Sequence, residues 1–282
     1  MQGWAGISFA AYCGWARNAQ ACMRHNDVAG SLMDVRAYLD RVGYHGPIEP
    51  TADTLRALHR QHMLNVPFEN LDIGLGRKIA LDPECFVEKI VHRRRGGFCY
   101  ELNGAFATLL VALGFRVTLL SARVANDQGV ASKEFDHLAL QIDLEDRWLA
   151  DVGFGENFLE PLRLISRMEQ QDVTGSFRFV NAGDRWRLER RQPDASWRLQ
   201  YDFSSQPRQL SEFAGRCRYH QTSPDSHFTR NRVCSLAMPH GRVTLSGMCL
   251  IVTSNGRKEE QVLATEAACR SALRDHFGIV LD

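Results

Sequence analysis

Apolar positions fall at helical spacing between residues 33 and 115 and mostly alternate after them, whereas residues 1–32 show no clear period. Val35, Leu39 and Val42 share one helical face, and Gly43 is a suitable stop. A second helix is predicted from about Asp53 to Leu64, with Leu55, Leu58 and His62 in its stripe; Pro67 pushes Val66 out of helical space and ends it. A third starts at Asp82 (N-cap) and Pro83 (N1). Leu81 and Phe86 occupy the staple positions, the face is Phe86, Ile90 and Val91, and the helix ends in Arg93-Arg94-Arg95. A fourth is predicted from about Tyr100 to Leu113 with Phe106, Leu109, Leu110 and Leu113 on its face and Gly114 as cap.

The period then changes. Phe115, Val117 and Leu119 alternate, as do Leu138, Leu140, Ile142 and Leu144, and Trp148, Ala150 and Val152 follow a polar turn. Short strands continue from Phe177 to Phe203, and Arg242 to Thr253 is strand-like before a Ser254-Asn255-Gly256-Arg257 hairpin turn. Thr265 caps a last helix carrying Cys269, Leu273 and Phe277 on one face. The expected class is α+β: an extension over 1–32, a helical bundle over 33–115, an antiparallel sheet or barrel over 116–215, and an α/β lid over 216–282. Met33 is a second candidate translation start.

Composition narrows the function classes. With 34 Lys+Arg against 33 Asp+Glu, the formal charge is +1, which argues against a strongly basic nucleic-acid binder. No apolar run reaches the roughly 18 residues of a membrane span. The eight cysteines are scattered without a Cys-x-x-Cys pair, so the reading is free thiols in the cytoplasm and no metal ribbon. The N-terminal stretch lacks the positive start of a signal peptide. His59 and His62 stand at i, i+3, but no third ligand is evident and no metal is expected.

The densest unusual segment is Arg95-Gly96-Gly97-Phe98-Cys99-Tyr100-Glu101-Leu102-Asn103. Cys99 lands at the start of a helix, where the dipole and free N–H groups favour an anion, so its thiol pKa is expected to fall. A thiol nucleophile needs a base, and the base a group to orient it. His137 opens a strand and Asp151 lies in a segment otherwise made for burial, where a carboxylate requires hydrogen bonds. A turn centred on Leu144 sets the two directly opposite; one centred on Asp146 leaves them on one face about 13 Å apart; an even turn puts them on opposite faces. The sequence leaves the register open.

These segments resemble the arylamine N-acetyltransferase family. The resemblance rests on residues 95–103, on Val66-Pro67-Phe68-Glu69-Asn70-Leu71-Asp72, on Asp151-Val152-Gly153-Phe154-Gly155, and on Gln221-Thr222-Ser223-Pro224-Asp225-Ser226-His227-Phe228. It covers about Val35 to Leu281 and implies a helical bundle, a β-barrel and an α/β lid. It also implies a Cys-His-Asp triad on Cys99, His137 and Asp151, in contact, with acetyl transferred from acetyl-CoA to arylamines, arylhydrazines and N-hydroxyarylamines. Acetyl-CoA is then a co-substrate and no cofactor is implied. Phe98, Phe154 and Phe228 are expected at the substrate pocket, with Gly153 and Gly155 admitting the CoA thiol. Glu69 and Arg95 correspond to a buried ion pair under the active-site loop. Arg93 to Arg95 read as a solvated helix end with one buried Arg, ahead of a phosphate-binding role. The chain departs from the pattern in its N-terminal extension and in Tyr100, where relatives often carry Phe; its hydroxyl is expected to adjust acceptor choice. An amide synthase, a transglutaminase-like hydrolase and a non-catalytic thiol protein are the alternatives; a monomer or weak homo-oligomer is expected.

Overall fold

The structure, a computed structural model, describes residues 33–281; the expectations for the N-terminal extension lie outside the described residues. Helix α1 spans Val35–Val42, with the Asp34 carboxylate accepting from the Ala37 N–H at one end and Gly43 at φ +68° at the other. Helix α2, Ala52–Asn65, is capped by Thr51 and ends at Val66. A two-residue strand β1, Phe68–Glu69, and a single turn α3, Leu71–Gly74, follow. Neither is visible in the hydrophobic pattern, because each is held by distant partners.

The third helix is shorter than its pattern. Asp82 caps α4, Pro83–Val87, as expected, but Glu88–His92 then form a π-helical turn, and Arg93 to Arg95 lie beyond it with Arg94 at φ +52°. Arg93 and Arg94 are exposed and Arg95 is buried, which matches the expected solvated end with one buried Arg; Lys89, in the π-helical turn, is buried as well. Helix α5, Cys99–Ala112, begins one residue earlier than expected. It is buried on nearly every side, which is why its sequence carries residues such as Gly104: a Cβ there would meet the Phe86 ring at 2.6 Å. Its Phe106 and Leu109 share a core with Leu55, Leu58, Phe86 and Ile90.

Eight antiparallel strands then form a nearly closed barrel. They are β2 Arg116–Val124, β3 His137–Asp143, β4 Arg147–Ala150, β5 Leu162–Arg163, β6 Glu169–Asp172, β7 Gly175–Asn181, β8 Arg185–Arg191 and β9 Trp197–Ser204, in the spatial order β5-β4-β3-β2-β9-β8-β7-β6. Strand β6 reads Glu-Gln-Gln-Asp and gives no alternation to detect. Its Gln170 amide closes the gap to β5, accepting from the Arg163 N–H (2.8 Å) and donating to the Arg163 carbonyl (2.9 Å). Phe158, Phe177, Phe179, Leu188, Tyr201 and Phe203 fill the interior.

The C-terminal part starts with helices α6, Ala214–Thr222, and α7, His227–Arg230. Strands β10 Val233–Met238, β11 Gly241–Ser246, β12 Cys249–Ser254 and β13 Arg257–Val262 form a second antiparallel sheet. The last hairpin turns on Asn255 and Gly256, both at positive φ, as the Asn-Gly pair predicts. Helix α8, Glu266–Phe277, capped by Thr265, covers this sheet with Cys269, Leu273 and Phe277. Strand β1 joins the same sheet through β10, pairing Phe68 with Ser235 and Glu69 with Cys234. The helical segment is thereby stitched to the C-terminal sheet, a pairing that no local pattern announces.

Candidate active site

Cys99 is the first residue of α5, and Asn103 stands one turn further along the same face. The Asn103 amide donates to the Leu138 carbonyl (2.6 Å) and to Asp151 Oδ1 (2.8 Å), while its oxygen accepts from the Val152 N–H (2.9 Å). Gly153 presses on the helix start: a Cβ there would lie 2.8 Å from Cys99 Cα and 2.9 Å from its carbonyl oxygen. These contacts set the start of α5 against the end of β4 and the beginning of β3, where His137 precedes Leu138.

The register between β3 and β4 is neither of the two same-face alternatives. Asp143 pairs with Arg147 and Leu140 with Ala150, so the loop is Leu144-Glu145-Asp146 and centres on Glu145. His137 and Asp151 are then diagonal neighbours on one face, and His137 Nε2 lies 2.9 Å from Asp151 Oδ2. Asp151 is fully buried and satisfied by five donors. Oδ1 also accepts from the Gly153 N–H (3.0 Å), and Oδ2 also accepts from the Tyr201 hydroxyl (2.8 Å) and the Asn157 amide (3.3 Å). Burial alone would raise this carboxyl; His137, Asn103 and Tyr201 overcome it and hold it below the ordinary range. The Asp151 N–H donates to His59 Nε2 (3.1 Å), and His59 Nδ1 donates to the Leu159 carbonyl (2.8 Å). His59 is therefore a neutral structural support, kept neutral chiefly by burial. Among the described residues no group of three His, Cys, Asp or Glu side chains is arranged to hold a metal ion.

The thiol itself departs from expectation. Burial pushes Cys99 well above the usual cysteine range, and a backbone hydrogen bond from Leu138 opposes this only in part. In the resting site the helix start does not outweigh desolvation, so a thiolate there needs a neighbouring proton acceptor.

Beneath the Cys99 loop lies a larger ionic cluster than one pair. Arg95 binds Glu69 (2.7 Å) and Asp72 (3.1 Å), while Lys89 binds Asp72 (2.7 Å) and Glu101 (2.9 Å). Glu101 Oε2 accepts from the Phe98 N–H (3.1 Å), and Glu69 Oε2 from the Leu71 N–H (2.7 Å). Three carboxylates face two buried cations, with the exposed Arg77 at 4.0 Å from Asp72. Burial, and then Glu69, push the Glu101 carboxyl up to about 7 against the pull of Lys89.

The aromatic positions divide. Phe154 sets its ring 5.3 Å from His137 and 5.1 Å from Tyr201. Phe228 packs 6.1 Å from Phe68, and Gly155, at φ +88°, would bring a Cβ to 3.7 Å of that Phe68 ring. Phe98 is fully buried, edge-on to Tyr100 and Phe228, so its ring backs Phe228 and offers no surface of its own. Tyr100 is also fully buried, and its hydroxyl donates to the Phe135 carbonyl (2.8 Å), so it braces the chain entering His137. The neighbouring Asp136 is held at about 2, burial notwithstanding, with His220 Nε2 at 3.1 Å and an Arg216 bond of 2.6 Å.

The model of the N-acetyltransferase family matches residues 51–282. A chicken (Gallus gallus) arylamine N-acetyltransferase of the pineal gland is 36% identical, covering 89% of this chain and 95% of its own. The chain belongs to the arylamine N-acetyltransferase family. The Escherichia coli arylamine N-acetyltransferase is 35% identical, over 87% of this chain and 88% of its own. Among solved structures, the Salmonella typhimurium arylamine N-acetyltransferase superposes with a TM-score of 0.84 at 32% identity, covering 89% of this chain and 92% of that one. The Mycobacterium marinum enzyme in complex with CoA gives 0.81 at 33% identity, covering 87% and 93%.

Proposed function

We propose that this chain transfers acetyl from acetyl-CoA to the nitrogen of arylamines and arylhydrazines, or to the oxygen of N-hydroxyarylamines, through an acetyl-cysteine on Cys99. The observation that carries the reading is the buried His137–Asp151 pair set against the start of the Cys99 helix in a chain of this family. Because His137 Nε2 donates to Asp151, Nδ1 is the nitrogen left to act as base. It takes the Cys99 proton as the thiol attacks the thioester carbon, and CoA leaves as the thiol, taking a proton back. The arylamine nitrogen then attacks the acetyl carbon, His137 accepts its proton, and Cys99 is released.

Asp151 holds the imidazole in one tautomer and stabilises its charged form. The Phe98 N–H is already taken by Glu101, so the Cys99 N–H is the donor we assign to the developing oxyanion. Phe154 and Phe228 form the acceptor walls. Gly153 and Gly155 shape the same loop, the first by its contact with α5 and the second by its positive φ. The Cys-His-Asp core sits on the α+β frame of helices, barrel and lid, with Glu69 and Arg95 locking the loop beneath it. The six cysteines among the described residues are unpaired, which supports a reducing, cytoplasmic setting. No described helix is long and apolar enough to cross a membrane. We assign a monomer or weak homo-oligomer.

The test is intact mass after incubation with acetyl-CoA and no acceptor. One added acetyl (about 42 Da) mapping to Cys99, lost on adding an arylamine and absent in Cys99→Ala, is expected. Turnover retained by Cys99→Ala, or amide chemistry without acetyl-CoA, would move the protein to a different reaction.

A further inference from the structure

Across β1, β10 and β11 the register lines up Phe68, Ser235 and Thr244 in one row. Arg242, two residues before Thr244, lies on the same face, and its Nη1 donates to the Ser235 hydroxyl (2.9 Å). The other end of the row is Phe68, whose ring meets Phe228 and Gly155 in the aromatic pocket. Glu156, directly after Gly155, binds Arg190 of β8 at 2.9 Å. Arg190 therefore has its counter-ion. Among the described residues no carboxylate lies within ion-pair distance of Arg242, although it is half-buried. Burial lowers the Arg242 guanidinium, with Glu156 opposing and the like charge of Arg190 adding to the shift. Two arginines against one glutamate leave a net positive charge beside the pocket wall. An unpaired, half-buried guanidinium is costly to keep, and its planar fork matches an oxyanion.

We infer that Arg242 is an oxyanion-binding residue at the mouth of the aromatic pocket, receiving an anionic group of an incoming substrate. The chemistry is shared by two sources, a carboxylate on the acceptor ring and a phosphate of the donor. This deepens the acetyl-transfer reading and rests on it for the identity of the substrates, but not for its test, which needs no turnover.

Binding of 4-aminobenzoate, aniline, CoA and pantetheine is measured by calorimetry, each ligand alone, to the full chain and to Arg242→Gln, with thermal midpoints confirming that both fold. A loss of about tenfold or more for 4-aminobenzoate but not aniline assigns Arg242 to the acceptor carboxylate. The same loss for CoA but not pantetheine assigns it to a phosphate. Arg242→Lys, which keeps the charge without the fork, is expected to recover part of the loss. Equal affinities for all four ligands, or an equal loss for all four, overturn the inference. Absence of acetyl transfer with strong, Arg242-dependent binding would overturn the functional reading and leave this one standing.

Discussion

Asp151 is the residue at which chemistry and packing meet. Five donors converge on it from four segments: His137 from β3, Asn103 from α5, Tyr201 from β9, and Gly153 and Asn157 from the loop after β4. Asp151→Asn keeps the size but turns one acceptor oxygen into a donor facing donors. We expect kcat to fall by about three to four orders of magnitude, with the far-UV spectrum little changed; a single-turnover assay of acetyl-enzyme formation checks it, and a loss below tenfold would remove Asp151 from the proposed triad. Cys99, His137 and Asp151 were each legible from residue type and local setting. Tyr201 and His59 were not, since they meet Asp151 across 50 and 92 residues of chain and neither lies in a motif. His59 offered only its spacing to His62, too little for a metal site, while its partners are two backbone groups. The thiol was misjudged for a related reason: a helix start is visible in sequence, but the burial that outweighs it is a property of the packed whole.

At the scale of the element, the first turn of α5 does two jobs. Phe98 has no side-chain acceptor to cap the helix, so the Glu101 carboxylate reaches back to the Phe98 N–H while holding Lys89. The sequence shows this helix and its glycines plainly, but shows the ionic cluster only in part. Glu69 and Arg95 stand in motifs; Lys89 is brought inward within a π-helical turn where a regular helix was expected. The cluster has a consequence for pH. Glu101 is raised from its ordinary 4.5 to about 7, so the folded chain keeps a proton that the unfolded chain has released. Its contribution is greatest below 4.5 and declines as pH rises to 7. Asp72, Asp136 and Asp151, all held below their ordinary value, act oppositely and lose their contribution as pH falls beneath 3.8. Glu101→Gln cannot ionise, so its thermal midpoint should gain on the parent's between about pH 5 and about pH 7.5. Parallel melting curves across that range would show that Glu101 carries no such proton.

At the scale of the molecule, residues 66–72 act as a strap. Phe68 enters the aromatic pocket and pairs with β10; Glu69 and Asp72 anchor Arg95 and Lys89 under the Cys99 loop; Asn70 reaches the C-terminal part. The Asn70 amide donates to the carbonyls of Phe228 (3.1 Å) and Asn231 (2.8 Å), and its oxygen accepts from the Val233 N–H (2.7 Å). The motif could be read as a family mark, yet its mechanical role could not, because each of its side chains serves a different part of the chain. Asn70→Ala would leave one buried donor and two carbonyls without their partner while sparing every group at Cys99. At about 1 kcal/mol per bond we expect a loss of about 2–3 kcal/mol in stability by denaturant unfolding. Phe228 should also lose its fixed position, so KM for the arylamine rises several-fold while acetyl-enzyme formation in a single turnover is little changed. If both half-reactions slowed equally, the strap would be serving the nucleophile alone, and the acceptor wall would have to be held by something other than Asn70.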